Sequence, residues 1–216
     1  MSELLGVDVW RGAEQGAFQA FAIPRRTHQT VLDVVTEIQR EHDATLSYRF
    51  ACRVGMCGSC AMVVNGRPRW TCRTRVNEVV KGGERLRLEP LRNFTVVKDL
   101  AVEMTDFFDK WKKAHGFFEP GAAPDKDFAV VPPTSPERVN CDAGIECIGC
   151  GVCYAACDVV AWEPGYSATG AGWRFGSWSA WKWSPLRWAF RAPGWRPASR
   201  RRSNARANGA GKWCIC

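Results

Sequence analysis

Apolar and polar positions alternate in two rhythms along this chain. Residues 4–10 and 17–23 carry short apolar stretches with glycines between them, the pattern of a β-hairpin. Thr30 stands as an N-cap before a helix running to about Glu41, with Val31, Leu32, Val35 and Ile38 on its inner face. Ala61–Val64, then Asn65-Gly66, then Arg67–Cys72 read as a second hairpin with a type I′ turn, because both central residues tolerate positive φ. Leu86 and Leu88 alternate with charges, as in a final strand. These elements predict a helix crossing a small mixed sheet, ending near residue 95. From Val96 to His115 the period changes to that of a helix: Leu100, Met104, Phe107, Phe108 and Trp111 form a core stripe, with Lys and Asp opposite. Residues 121–136 are rich in Pro and Ala and read as a connecting loop.

The chain has 216 residues, enough for one or two domains. It contains no stretch of eighteen uncharged apolar residues, so no membrane span is expected. Met1 to Gln15 lacks the basic start and apolar centre of a secretory signal. The net charge of +8 is unevenly spread. Residues 161–216 hold eight Arg, two Lys and one Glu, whereas the other 160 residues hold 20 basic and 21 acidic side chains. The body is nearly neutral, and a nucleic-acid reading rests on the tail alone. His28, His42 and His115 are scattered and read as surface or structural residues.

Cysteine changes the picture most. Eight of the eleven cysteines fall into two groups, Cys52-x4-Cys57-x2-Cys60-x11-Cys72 and Cys147-x2-Cys150-x2-Cys153-x3-Cys157. The first spacing is that of plant-type [2Fe–2S] ligation and the second that of the bacterial run for a cubane cluster. Iron–sulfur clusters need soft anionic ligands, which deprotonated cysteine supplies. Gly55 and Gly58 let the first loop curl so that backbone N–H groups turn toward sulfur, while Cys72 arrives from a separate strand. Zinc usually takes two separated C-x2-C pairs, so the x4, x2, x11 pattern favours iron. Disulfides do not suit a chain without a secretory signal, and a reducing cytoplasm fits thiols waiting for metal. Cys141 lies outside both patterns and reads as an ordinary buried thiol. Arg53 and Arg73 directly follow candidate ligands, and Arg49, Arg69 and Arg75 are near in sequence. Positive charge favours the reduced form, which predicts a potential above the roughly −400 mV of plant-type ferredoxins. For Arg49, Arg69 and Arg75 the alternative is that they are solvated or face an acidic partner.

The segment Cys52-Arg-Val-Gly-Met-Cys57-Gly-Ser-Cys60-Ala-Met-Val-Val-Asn-Gly66, followed by Cys72, resembles the iron–sulfur subunit of succinate dehydrogenase and fumarate reductase. So does Ile145-Glu-Cys147-Ile-Gly-Cys150-Gly-Val-Cys153-Tyr-Ala-Ala-Cys157, in the same order and at a similar separation. The resemblance implies an α+β chain: an N-terminal β-grasp [2Fe–2S] ferredoxin domain over residues 1–95 and an incomplete α-helical ferredoxin-like domain over 96–166. It implies an electron relay between the FAD of a flavoprotein subunit and a quinone at membrane-anchor subunits, through [2Fe–2S], [4Fe–4S] and [3Fe–4S] clusters. This chain would carry no substrate chemistry of its own. Its place would be cytoplasmic, peripheral on the inner face of the cell membrane. Carried over, Cys52, Cys57, Cys60 and Cys72 hold the first cluster, Cys147, Cys150 and Cys153 give three ligands to the second, and Cys157 gives one to the third. Trp162 matches a tryptophan lining the family's quinone pocket; its other reading is one more Trp in a Trp-rich tail.

Two departures stand out. Asp158 occupies a position where the family commonly has Pro. The family also has a further cysteine group downstream, where this chain has only Cys214 and Cys216, so the second and third ligand sets are incomplete. Residues 161–216 hold eight Trp, eight Arg, ten Ala and seven Gly, with only Leu186 and Ile215 as aliphatic residues. That composition builds no ordinary core, so residues 167–216 read as a disordered tail. It is also what GC-rich DNA gives when translated out of frame, which places a frameshift soon after Tyr166. The competing reading is a basic, aromatic tail that docks a stand-alone ferredoxin-like carrier to a membrane or nucleic acid.

Overall fold

The computed structural model describes residues 3–113, 132–134, 136, 139 and 147–166. Strands β1 (Leu4–Gly12) and β2 (Gly16–Pro24) form the first hairpin, paired from Leu4–Pro24 to Gly12–Gly16. β3 (Ala61–Val64) and β4 (Arg67–Trp70) form the second. Its turn residues Asn65 and Gly66 both have positive φ, 46° and 79°, as a type I′ turn demands. β5 (Leu86–Glu89) lies at the centre, parallel to β1 and antiparallel to β3, giving the order β2-β1-β5-β3-β4. Leu86 and Leu88 are fully buried there, consistent with their alternation in sequence.

Helix α1 (Val31–Glu37) packs across this sheet and runs on into a π turn at Ile38–His42. Thr30 caps it: its hydroxyl accepts from the Asp33 N–H at 3.2 Å, and the Asp33 carboxylate accepts from the Thr30 N–H at 3.0 Å. Val31, Leu32, Val34, Val35 and Ile38 are buried. Each contributes roughly 1.5–3 kcal/mol. That outweighs the cost of nucleating so short a helix. A short helix α2 (Val76–Val79) precedes β5.

The segment after residue 95 departs from the sequence-based expectation. The chain forms a small antiparallel pair, β6 (Val96–Lys98) with β7 (Ala101–Val102), and helix α3 begins only at Thr105, running to Lys113 within the described residues. The turn between them is made by Asp99 at φ 52°. Leu100 is therefore no part of a helical stripe; its N–H donates to the Ser47 carbonyl and its side chain joins the first core, with Val7, Ile38 and Leu46. Met104 and Phe107 keep their inward role. His115, residues 121–131 of the expected loop, Cys141 and the tail beyond Tyr166 lie outside the described residues.

Two short helices, α4 (Val152–Ala155) and α5 (Asp158–Trp162), rest on this body. Phe94 joins them to it, with ring centroids 4.9 Å from Tyr154 and 5.9 Å from Phe107. Ala155 packs with Ala61, Leu91 and Val102. The helical segment is thus seated at the β3–β4 side of the sheet, beside the first cysteine loop.

Candidate iron–sulfur centre

The loop between α1 and β3 has no regular structure from Thr45 to the start of β3, and the chain curls through three positive-φ residues: Arg53 (58°), Gly55 (77°) and Gly58 (68°). The curl aims main-chain donors at sulfur. The Cys52 Sγ accepts from the N–H groups of Val54, Met56 and Cys57 at 3.2–3.4 Å, and the Cys57 Sγ accepts from the Cys52 N–H at 3.5 Å. Cys72 sits two residues past the end of β4, in a turn rather than in the strand. Cys60 and Cys72 are buried and in contact, under Leu32 and Tyr48. Cys52 and Cys57 are half-buried.

The four thiols therefore form two pairs, Cys52 with Cys57 and Cys60 with Cys72. The Cys52 thiol also acts electrostatically on Cys72, which links the two pairs. A binuclear cluster divides four sulfurs between two irons, so the paired arrangement fits that group. The donor set fits as well: soft sulfur, supported by N–H groups that stabilise negative charge.

The two pairs differ in acidity. The Ser59 hydroxyl and the main-chain N–H groups of Cys52 and Ser59 bring the Cys57 thiol down to about 6. Burial, and next its contact with the Cys60 thiol, pushes Cys72 up to about 11. Thiolate is the metal ligand and the nucleophile. Cys57 is ready to take metal at neutral pH, while Cys72 must lose its proton on binding. In the metal-free chain, iodoacetamide is expected to modify Cys57 with a midpoint near pH 6 and to spare Cys72 until about pH 11. Peptide mass spectrometry across a pH series reads this directly; equal reactivity of the two thiols would refute it.

The arginines divide. The Arg73 side chain packs against Gly55, inside the curl. Arg53 turns outward, its guanidinium 4.7 Å from the Phe50 ring centroid. Arg49 acts on the Glu103 carboxylate, and Arg75 precedes α2. The Arg69 Nε is buried without a hydrogen-bond partner. Arg73 is the arginine whose side chain lies against the loop at Gly55.

The second group is laid out along the chain. Cys147 and Cys150 lie in irregular backbone, Cys153 on α4, and Cys157 is the N-cap residue of α5. Gly149 and Gly151, at φ 64° and 74°, press against the rings of Phe108 and Phe94. Asn93, itself at φ 64°, donates from Nδ2 to the Tyr154 carbonyl at 2.9 Å and the Cys157 carbonyl at 3.0 Å. It thereby ties the end of α4 and the Cys157 backbone to the β domain. Asp158 opens α5 as a first-turn acid, a role that suits a carboxylate. Trp162 ends α5 and is 80% exposed.

Residues 7–109 match the 2Fe-2S iron-sulfur cluster binding domain family. The fumarate reductase iron-sulfur subunit of Mycobacterium tuberculosis is 36% identical over 149 residues, 69% of this chain and 60% of that protein. The mitochondrial succinate dehydrogenase [ubiquinone] iron-sulfur subunit 1 of Oryza sativa subsp. japonica is 34% identical over 134 residues, 62% of this chain and 47% of that protein. Among solved structures, a chain of the Mycobacterium smegmatis Sdh1 complex in the apo form superposes with a TM-score of 0.66 at 28% identity, covering 81% of this chain and 72% of that one. The chain is similar to the iron–sulfur subunits of succinate dehydrogenase and fumarate reductase, and its residues 7–109 match the 2Fe-2S cluster-binding domain. It spans 60% and 47% of the lengths of these two curated relatives.

Three residues of the site were not legible in the chain's motifs. Ser59 adjoins two cysteines, but nothing in its spacing shows that its hydroxyl faces Cys57. Tyr48 covers Cys60 and Cys72 from twelve and more residues away. Asn93 reaches across more than sixty residues to hold Cys157.

Proposed function

We propose that this chain is the electron-relay subunit of a succinate:quinone or quinol:fumarate oxidoreductase. It hands electrons between the FAD of a flavoprotein subunit and a quinone at membrane-anchor subunits, on the inner face of the cell membrane. The observation that carries this is the curled loop in which two thiol pairs, Cys52/Cys57 and Cys60/Cys72, meet main-chain donors and a buried floor. A [2Fe–2S] group held there would take up and release one electron at a time. The chain's own residues do the rest. Cys52, Cys57, Cys60 and Cys72 bind it, the N–H groups of Val54, Met56 and Cys57 stabilise sulfur charge, and Leu32 and Tyr48 keep water from the inner pair. Cys147, Cys150 and Cys153 are assigned to a [4Fe–4S] site and Cys157 to a [3Fe–4S] site. Exposed Trp162 is assigned to the quinone side.

Val54 and Met56, at 60% and 69% exposure, crown the loop and suit burial under a flavoprotein face. No helix among the described residues is long and apolar enough to cross a membrane. The proposal places the membrane contact in separate anchor subunits.

Anaerobic purification of the chain from its native cells tests the reading. A co-purifying flavoprotein and an EPR signal from a reduced [2Fe–2S] centre are expected. With Arg73 against the loop, its midpoint potential is expected above about −400 mV, the value typical of plant-type ferredoxins. A lone monomer that reduces soluble acceptors by itself would replace the relay with a stand-alone carrier. A colourless zinc protein would remove both.

A further inference from the structure

Gly58 stands between Cys57 and Cys60, and its sequence role is to let the first loop turn. The fold gives it a second neighbour. A Cβ at this position would overlap the Cβ of Cys150, lie 2.9 Å from the Cys150 Cα and 3.3 Å from the Ile148 Cδ1. Real Cβ atoms essentially never approach backbone within 3.0 Å. The two cysteine groups thus touch at one point, main chain of the first against a cysteine of the second.

Neither side has room to yield. The Gly58 carbonyl accepts from the Ala61 N–H at 3.1 Å, which ties it to the start of β3. On the other side, Gly149 and Gly151 flank Cys150 and are themselves pressed against Phe108 and Phe94. Phe94 in turn is fixed between Phe107 and Tyr154. Any added atom at residue 58 must be absorbed by Cys150.

We propose that Gly58 is a positioning residue that sets the gap between the two cysteine groups by allowing main chain to meet Cys150 directly. Its consequence for electron passage rests on the relay reading; the seam itself does not. Transfer between centres falls steeply with distance, so a residue that removes a side chain's thickness from the gap acts on the relay without holding a cluster.

Positive φ alone would penalise alanine here, so the test needs a strain control. Gly55 lies in the same loop at φ 77°, and its Cβ would meet only the Arg73 side chain, 2.9 Å from Cγ. Full-length wild type, Gly58→Ala, Gly55→Ala, Cys150→Gly and the Gly58→Ala/Cys150→Gly double variant are compared by amide hydrogen exchange over residues 147–157. Absorbance of the first centre is recorded alongside. Gly58→Ala is expected to speed exchange across 147–157 by about tenfold, a local opening effect, while Gly55→Ala leaves that segment near wild type. In the Cys150→Gly background the alanine at 58 is expected to have a smaller further effect, because the overlap with the Cys150 Cβ is gone and only the 2.9 Å approach to its Cα remains; the cycle subtracts whatever Cys150 contributes as a ligand. Equal exchange in Gly58→Ala and Gly55→Ala, or an undiminished effect in the Cys150→Gly background, would overturn the seam. If Gly58→Ala does not fold, a folded double variant supports the seam and an unfolded one refutes it. Absence of visible absorbance in the wild type would sink the relay reading, while the exchange pattern still decides the role of Gly58.

Discussion

A Cys72→Ala chain is expected to lose the visible absorbance and EPR signal of the first centre entirely, whereas Cys141→Ala keeps both. Cys72 supplies half of the buried pair with Cys60. Truncation leaves the Cys60 side of the site with one protein sulfur. The loss carries into stability, because a site that forms only on folding converts binding free energy into folding free energy. A group present at a thousandfold over its dissociation constant stabilises by about 4 kcal/mol. At roughly 4–8 °C per kcal/mol for a domain of this size, the melting temperature falls by some tens of degrees. Anaerobic absorbance and a thermal melt of the same sample read both effects. Retained colour in Cys72→Ala would place the fourth ligand elsewhere, and bleaching by Cys141→Ala would bring that thiol into the site.

The residues that made the site legible are those whose partners are near in sequence. Cys52, Cys57 and Cys60 share one loop, and the turn residues Gly55 and Gly58 announce its curl. Thr30 announces the start of α1, and Asn65-Gly66 fixes the register that carries the chain to Cys72. Where the partner lies far along the chain, no local pattern records it. Leu100 fits a helical stripe with Met104, Phe107 and Trp111, yet tertiary pairing wins: the Ser47 carbonyl takes its N–H and the first core takes its side chain. Val96, Val97 and Val102 are β-branched and were the available signal for strands. Asn93 and Gly58 are the same kind of case. Each sits in a loop or turn, and each gains its meaning from a contact with the second cysteine group. The seat of that group on the β domain is therefore the least legible part of the site.

Asp99→Asn is expected to cost about 2–4 kcal/mol, the second large effect. Asp99 is 2% exposed and joins three segments. Its Oδ1 accepts from the Gly12 N–H at 2.9 Å, and its Oδ2 accepts from the Ser47 N–H at 2.9 Å and from Arg11 Nη1 at 3.0 Å. All three partners are donors. Asparagine keeps the shape and tolerates the φ of 52°, so backbone strain does not confuse the result. Its amide nitrogen, however, must face one of those donors, and the charge opposite Arg11 is gone. Breaking a buried pair from one side costs about 3–5 kcal/mol, and the bonds that asparagine retains recover part of this. Arg11 keeps Asp43 at 3.2 Å and Thr45, which limits the loss further. A melting temperature lower by roughly 10–25 °C is the expected reading. Arg11→Ala combined with Asp99→Asn should cost less than the two separately, since both break one contact. Strict additivity would show that the carboxylate acts through Gly12 and Ser47 alone. The site feels this change through Ser47, which begins the run to Tyr48 and its cover over Cys60 and Cys72. Colour in Asp99→Asn should therefore bleach at a lower temperature than in the wild type, in step with the melt.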